Sequence, residues 1–132
     1  MDEIIFDFMK DTPKQLWAKQ YDTMRWFLFT LQSNGAELDT QMKDWVENCD
    51  ECCVNAYRPY TDESHSYNGI DTVSETDPRT GFGLDDWVTS VPGTVYISLS
   101  YMKDNGLLTT GKVVLNVEKS EFEVTEPDGG EG

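Results

Sequence analysis

Apolar residues recur along this chain in two rhythms, separated by a stretch with neither. From residue 16 to 31 the spacing is helical: Leu16, Trp17, Tyr21, Met24, Phe27, Leu28 and Leu31 fall on one stripe at intervals of three and four. Thr12 suits the N-cap of such a helix, Pro13 its first position, and Gln15 completes a capping box with Thr12. Asn34-Gly35 supplies a left-handed stop. Trp26 and Phe29 lie off the stripe, which fits a helix buried on most sides or, less commonly, one that offers a second apolar face to a partner. A second helix is expected from Asp39 or Thr40, carried by Met42, Trp45, Val46, Cys49, Cys53 and Ala56, with Asp44, Glu47, Asp50 and Glu51 on the opposite side. Tyr57-Arg58-Pro59 ends it, because a residue before proline avoids helical geometry. The short connection at Gly35 predicts an antiparallel helical hairpin.

The second rhythm is alternation, and it fills the C-terminal third. Val95, Ile97, Leu99 and Tyr101 alternate with Tyr96, Ser98 and Ser100; Val113, Leu115 and Val117 alternate with Val114, Asn116 and Glu118. Such period-two patterning marks strands with one buried face. Lys103-Asp104-Asn105-Gly106 begins the intervening turn. Phe122 and Val124 extend the second strand or open a third. Residues 58–81 are polar and irregular, with a turn at Asp77-Pro78-Arg79-Thr80-Gly81 and a weak strand signal near 70–76 that could pair with 82–84. Residues 2–9 are apolar but too short to separate strand from helix. The expected fold is therefore α+β: an N-terminal antiparallel helical hairpin packed on a small antiparallel C-terminal sheet. It forms one domain over residues 1–125, followed by a flexible acidic tail over 126–132.

Composition changes this picture little until charge is counted. A length of 132 residues fits one domain, and four Trp, six Phe and six Tyr compensate for a hydrophobic share of 38%. No run of 18 apolar residues is present, so no transmembrane helix is expected. Met1-Asp2-Glu3 puts no basic segment before an apolar one, so no secretory leader is expected. Cys49, Cys52 and Cys53 make an odd, clustered set, a poor disulfide framework that points to reduced thiols and a cytoplasmic setting. The 25 acids against 10 bases give a formal net charge of −15, spread over both halves of the chain. A field of that sign repels nucleic acid and anionic membrane and attracts basic surfaces.

Candidate chemistry is sparse. Cys49, Cys52, Cys53 and His65 could be drawn as a zinc site, but the spacing lacks two separated ligand pairs, and buried thiols pack as small hydrophobes. His65 reads as a solvated loop residue. Asp71, Glu75 and Asp77 do not match a calcium loop, which needs a central glycine and a terminal glutamate. No nucleophile elbow, Walker-type loop or dinucleotide fingerprint is present. The chain is thus expected to have no catalytic residues, metal or cofactor, and to bind a macromolecule.

Charge supplies the expected partner. On a helix, Asp44, Glu47 and Glu51 would stack along one face at a pitch comparable to nucleic-acid phosphates. With Asp85, Asp86 and the acids at 118, 121, 123 and 126 they would form an extended anionic surface; the candidate contacts are these helix acids, Asp62, Glu63, Asp71, Glu75, Asp85 and Asp86, with Trp87 as aromatic anchor unless it packs in the core with Phe82 and Val88. The reading is an acidic inhibitor, a nucleic-acid mimic of phage or mobile-element type. It would act as monomer or homodimer in the host cytoplasm, on the basic surface of a nucleic-acid-binding defence enzyme of the restriction or CRISPR kind. The alternatives are an immunity protein against a nuclease toxin, and a phage structural or assembly protein in which Trp26 and Phe29 form an oligomer contact.

Overall fold

The computed structural model describes residues 3–23, 25–70 and 80–121. It is mostly β, and the expected N-terminal helical hairpin is not formed. Among the described residues, ten strands and two short helices follow in the order β1 (Glu3–Asp7), β2 (Gln15–Lys19), β3 (Trp26–Ser33), β4 (Ala36–Glu37), α1 (Thr40–Glu47), β5 (Glu51–Arg58), β6 (Glu63–Tyr67), β7 (Thr80–Gly83), α2 (Asp86–Thr89), β8 (Gly93–Lys103), β9 (Gly106–Thr109) and β10 (Val113–Glu118).

The segment read as the first helix is two strands in two different sheets. In β2, Leu16 and Ala18 are buried while Gln15, Trp17 and Lys19 are exposed. In β3, Phe29 and Leu31 are buried while Trp26 and Leu28 are exposed. An apolar run this dense satisfies period two as well as period 3.6, and the aromatic-rich stretch Trp26-Phe27-Leu28-Phe29 favours the pleated surface. Between the strands the chain reverses. Asp22 accepts the Lys19 N–H (3.0 Å) and the Arg25 Nε–H (2.9 Å), and Tyr21 takes a positive φ of 75°. Asn34-Gly35, read as a helix stop, is a hairpin turn. Both residues have positive φ (54° and 80°), as a two-residue type I′ connection requires, and they join β3 to β4.

The second helix starts where expected. Asp39 caps it by accepting the Met42 N–H at 2.8 Å. It ends at Glu47, and the following residues form β5, in which Val54, Ala56 and Arg58 point inward and Asn55 and Tyr57 outward. The spacing of Cys49, Cys53 and Ala56 therefore joined a helix to a strand. In the C-terminal third, β8 and β10 match the alternation. Asp104 and Asn105 (φ 51° and 68°) make a second tight turn, but the strand it leads into is β9. Phe122, Val124 and the acidic tail at 126–132 lie outside the described residues, as do Asp71, Glu75 and the turn at Asp77-Pro78-Arg79.

The first sheet is built on β3, with β1 parallel to it on one side and β4 and β7 antiparallel on the other. The second runs β2-β10-β8-β5-β6, with β9 paired to the far end of β8; only the β2–β10 contact is parallel. Inward side chains of both sheets and both helices form one core, including Phe6, Phe29, Phe82, Leu99, Tyr101, Leu115, Val46 and Val88. Phe82 sits against Phe27, Phe6 and Phe29 at ring-centroid distances of 5.4, 5.8 and 6.2 Å. The sheets are tied where β1 ends. The Gly111 N–H donates to Asp7 O (2.7 Å) and the Thr12 N–H to Lys112 O (3.0 Å). A Cβ on Gly111 would stand 2.1 Å from Lys10 O, so only glycine permits that approach. Trp45 of α1 donates its indole N–H to Tyr101 O at 3.1 Å and seats the helix against β8.

Candidate functional site

Of the acids predicted to form one surface, Asp71 and Glu75 lie outside the described residues, Asp44 and Glu47 are on α1, and Glu51 is on β5. Asp44 is exposed on α1, but its carboxylate takes Lys103 Nζ at 3.0 Å and the Asn48 side-chain amide at 2.8 Å. The Lys103 hydrogen bond, with Lys103's charge behind it, lowers the Asp44 pKa. Glu47 closes the helix with Oε2 buried, and Glu51 is the first residue of β5. The three do not share a helical face.

A second group does converge. Around Trp87, the His65 ring stacks at 5.1 Å and 28°, and the Arg58 guanidinium carbon lies 3.9 Å from the indole centroid. Tyr67 stacks on His65 at 5.7 Å. Asp85 caps α2 through the Val88 N–H (3.1 Å) and meets His65 Nε2 at 2.9 Å. Arg58 is 5% exposed; it donates to Trp87 O, to Ser90 Oγ (3.2 Å) and to Glu63 (3.4 Å). Glu63 also accepts from Thr61 (2.8 Å), and Asp62 accepts the Tyr57 hydroxyl at 2.8 Å. Asp86 is exposed beside them. His65 is thus not a solvated loop residue; it is a partly buried member of β6. Trp87, expected as a partner anchor, is partly buried and packs against two side chains of its own chain, His65 and Arg58.

The cysteines do not line a helix. Cys49 follows α1, and Cys52 and Cys53 are on β5; all three are free and partly buried. Burial raises the Cys52 thiol to about 11, with the neighbouring Cys49 and Cys53 adding to the shift. Among the described residues, no three His, Cys, Asp or Glu side chains are placed to hold a metal ion.

Two exposed faces remain. On the first sheet the outward positions include Ile5 on β1, Trp26 and Leu28 on β3, and Gly81 and Gly83 on β7. The Trp26 indole lies across both glycines: a Cβ on Gly81 would stand 2.2 Å from its Nε1, and one on Gly83 2.7 Å from its Cε3. Ile5, Trp26 and Leu28 are 44%, 42% and 37% exposed. Trp26 is therefore on an open apolar face, whereas Phe29, paired with it on sequence grounds, is fully buried. The sequence signal for this face was Gly81-Phe82-Gly83, a strand whose alternate positions have no side chain. At the centre of the second sheet's outer face lie Asn55, Ser66, Ser98 and Ser100, with Trp17 on β2 and Leu107 on β9 exposed on the same face.

Fold and faces together define a two-sheet β-rich protein whose exposed chemistry lies on broad sheet surfaces. No known family's sequence profile matches the chain, and no curated protein matches it. The fold is similar to that of the N-terminal domain of phage TP901-1 ORF48, with a TM-score of 0.58 at 10% identity, covering 89% of this chain and 97% of that one. Identity this low establishes a shared fold only. Among the described residues, no helix is long and apolar enough to cross a membrane.

Proposed function

We propose that this chain is a non-catalytic building module of a phage-type assembly, joined to a second copy of itself through the outer face of its first sheet. The observation that carries this reading is the open apolar platform of Ile5, Trp26 and Leu28, with Trp26 laid flat on Gly81 and Gly83. Large apolar side chains grouped in the open on one sheet mark a contact surface more often than an idle one. Charge favours a like partner at this place. Two chains of net charge −15 repel almost everywhere, but the five outward positions named above carry no charge; the exposed acid Glu37 lies at the β4 edge of this face, in register with Gln32. The likeness to a domain of a phage protein supports the assembly setting. The test is light scattering on the eluting protein over a concentration series: self-association is expected and should be lost in Trp26→Asp. A strictly monomeric wild type refutes the reading.

A second reading, the acidic inhibitor of a nucleic-acid-binding enzyme, rests on the net charge of −15. It requires capture of such an enzyme that falls steeply as salt rises. Capture unchanged by salt would remove it.

A further inference from the structure

The outer face of the second sheet carries a feature that assembly through the first sheet leaves unused. On the outward positions of β5, β6, β8 and β9, among the described residues, Glu51 alone is charged. The rest of this face is serine, threonine, asparagine, tyrosine, cysteine, methionine and leucine. On a protein with 25 acids among 132 residues, such a stretch stands apart from the general surface. It is also hollowed: two adjoining depressions of about 530 and 410 Å³ share Asn55 and Ser66 as common wall. They lie side by side on the face as a trough in two parts, each within the size range of ligand sites, about 300–1,000 Å³.

The trough floor is a ladder of neutral hydrogen-bonding groups fixed by one another. The Asn55 amide donates to Ser98 Oγ (3.3 Å) and Ser100 Oγ (2.7 Å), and its carbonyl oxygen accepts from Ser66 Oγ at 2.8 Å. Ser100 Oγ continues the ladder to Thr109 Oγ1 at 2.8 Å. A hydroxyl that accepts a bond keeps its own proton to donate, so Ser98 faces the trough as a positioned O–H. One end is walled by Tyr57 and Tyr96, whose rings stack at 6.3 Å; the Tyr57 hydroxyl is held by Asp62, and Lys112 Nζ lies 5.1 Å from the Tyr96 ring.

We infer that this trough is a binding site for a neutral oligosaccharide. A sugar chain presents uncharged hydroxyls that both donate and accept, which suit the Asn55–Ser98–Ser100 ladder at the centre of the trough, while Glu51 lines one depression and Lys112 the other and can accept from or donate to a sugar hydroxyl. Its C–H faces suit an aromatic wall. An anionic saccharide would meet the field of the whole protein and is excluded by charge.

The test is an amide-resolved NMR titration of the full chain with maltotetraose, cellotetraose and chitotetraose, each to about 5 mM, the range in which weak single-site ligands bind. A hyaluronan tetrasaccharide serves as the anionic control. At least one neutral probe should saturate, with shifts centred on β5, β6 and β8. Ser66→Glu, on the exposed edge strand and clear of the core, should weaken that binding at least tenfold with the spectrum of the core unchanged. Asn55→Asp should do the same by removing two donors and adding a charge. Shifts confined to other elements, hyaluronan binding as tightly, undiminished binding by both variants, or no response to any neutral probe would each overturn the assignment.

Discussion

Replacing Asp7 by asparagine tests how the first sheet is locked to its hairpin. Asp7 is 3% exposed, and its carboxylate collects three backbone N–H donors: Met9 (2.8 Å) and Asn34 (2.8 Å) on Oδ1, and Gly35 (2.7 Å) on Oδ2. Burial works against the charge, but the three donors and nearby Lys10 outweigh it and hold the carboxyl below its ordinary value of 3.8. In Asp7→Asn the Oδ1 bonds survive as neutral ones, while the new amide N–H₂ faces the Gly35 N–H. A hydrogen bond to a charged group contributes about 1.5–3 kcal/mol and a neutral one about 1, so losing one and weakening two costs about 3–4 kcal/mol. For a domain of this size that is roughly 10–15 °C in Tm. Urea unfolding followed by tryptophan fluorescence reads it directly. Because the folded pKa is depressed, this contribution is fully present above the unfolded value of 3.8 and is lost as pH falls through the folded one. The gap between wild type and variant should therefore be full at pH 7 and shrink in strong acid. Coincident unfolding curves at pH 7, or a gap unchanged in acid, would refute the reasoning.

Phe82→Ala removes a fully buried ring touching three other phenylalanines, and should cost about 3–5 kcal/mol in urea unfolding; a loss below about 1 kcal/mol would contradict the core described above. Cys52, its thiol raised to about 11 by burial, should resist a thiol-disulfide reagent at pH 7 in the native state and react faster as pH approaches that value; rapid native labelling at pH 7 would contradict it. The purified protein should carry no stoichiometric zinc by elemental analysis. One zinc per chain would overturn the placement of Cys49, Cys52 and Cys53 as free, partly buried thiols.

Where the sequence was legible, a local signal had only one physical solution. Asp39 could cap a helix starting at Thr40, and the alternation from Val95 to Tyr101 and from Val113 to Val117 could only be half-buried strand. Where it misled, two periods fitted the same residues. Leu16 to Leu31 is apolar at enough positions to satisfy a helix or a strand, and the choice is made by long-range pairing: Leu16 with Leu115, Phe29 with Ile4 and Phe82 with Phe27. Asn34-Gly35 serves equally as a helix stop and as a hairpin turn. The site suffered from the same error. Asp44, Glu47 and Glu51 formed a strip only while residues 48–56 were helical, and Trp87 was a free anchor only while Arg58 and His65 were placed elsewhere. Trp26 was singled out as off-stripe for the wrong reason, yet it stands on the open face.

The most direct test of the assembly reading is the solution mass of the chain across a concentration series, alongside the double variant Trp26→Asp, Leu28→Lys. Wild type should approach twice its 15.1 kDa chain mass as concentration rises, more readily in high salt, where repulsion between acidic chains is screened. The double variant should stay at one chain mass with the same unfolding midpoint. A wild type that remains a monomer at every concentration, or a double variant that associates as well as wild type, would contradict it.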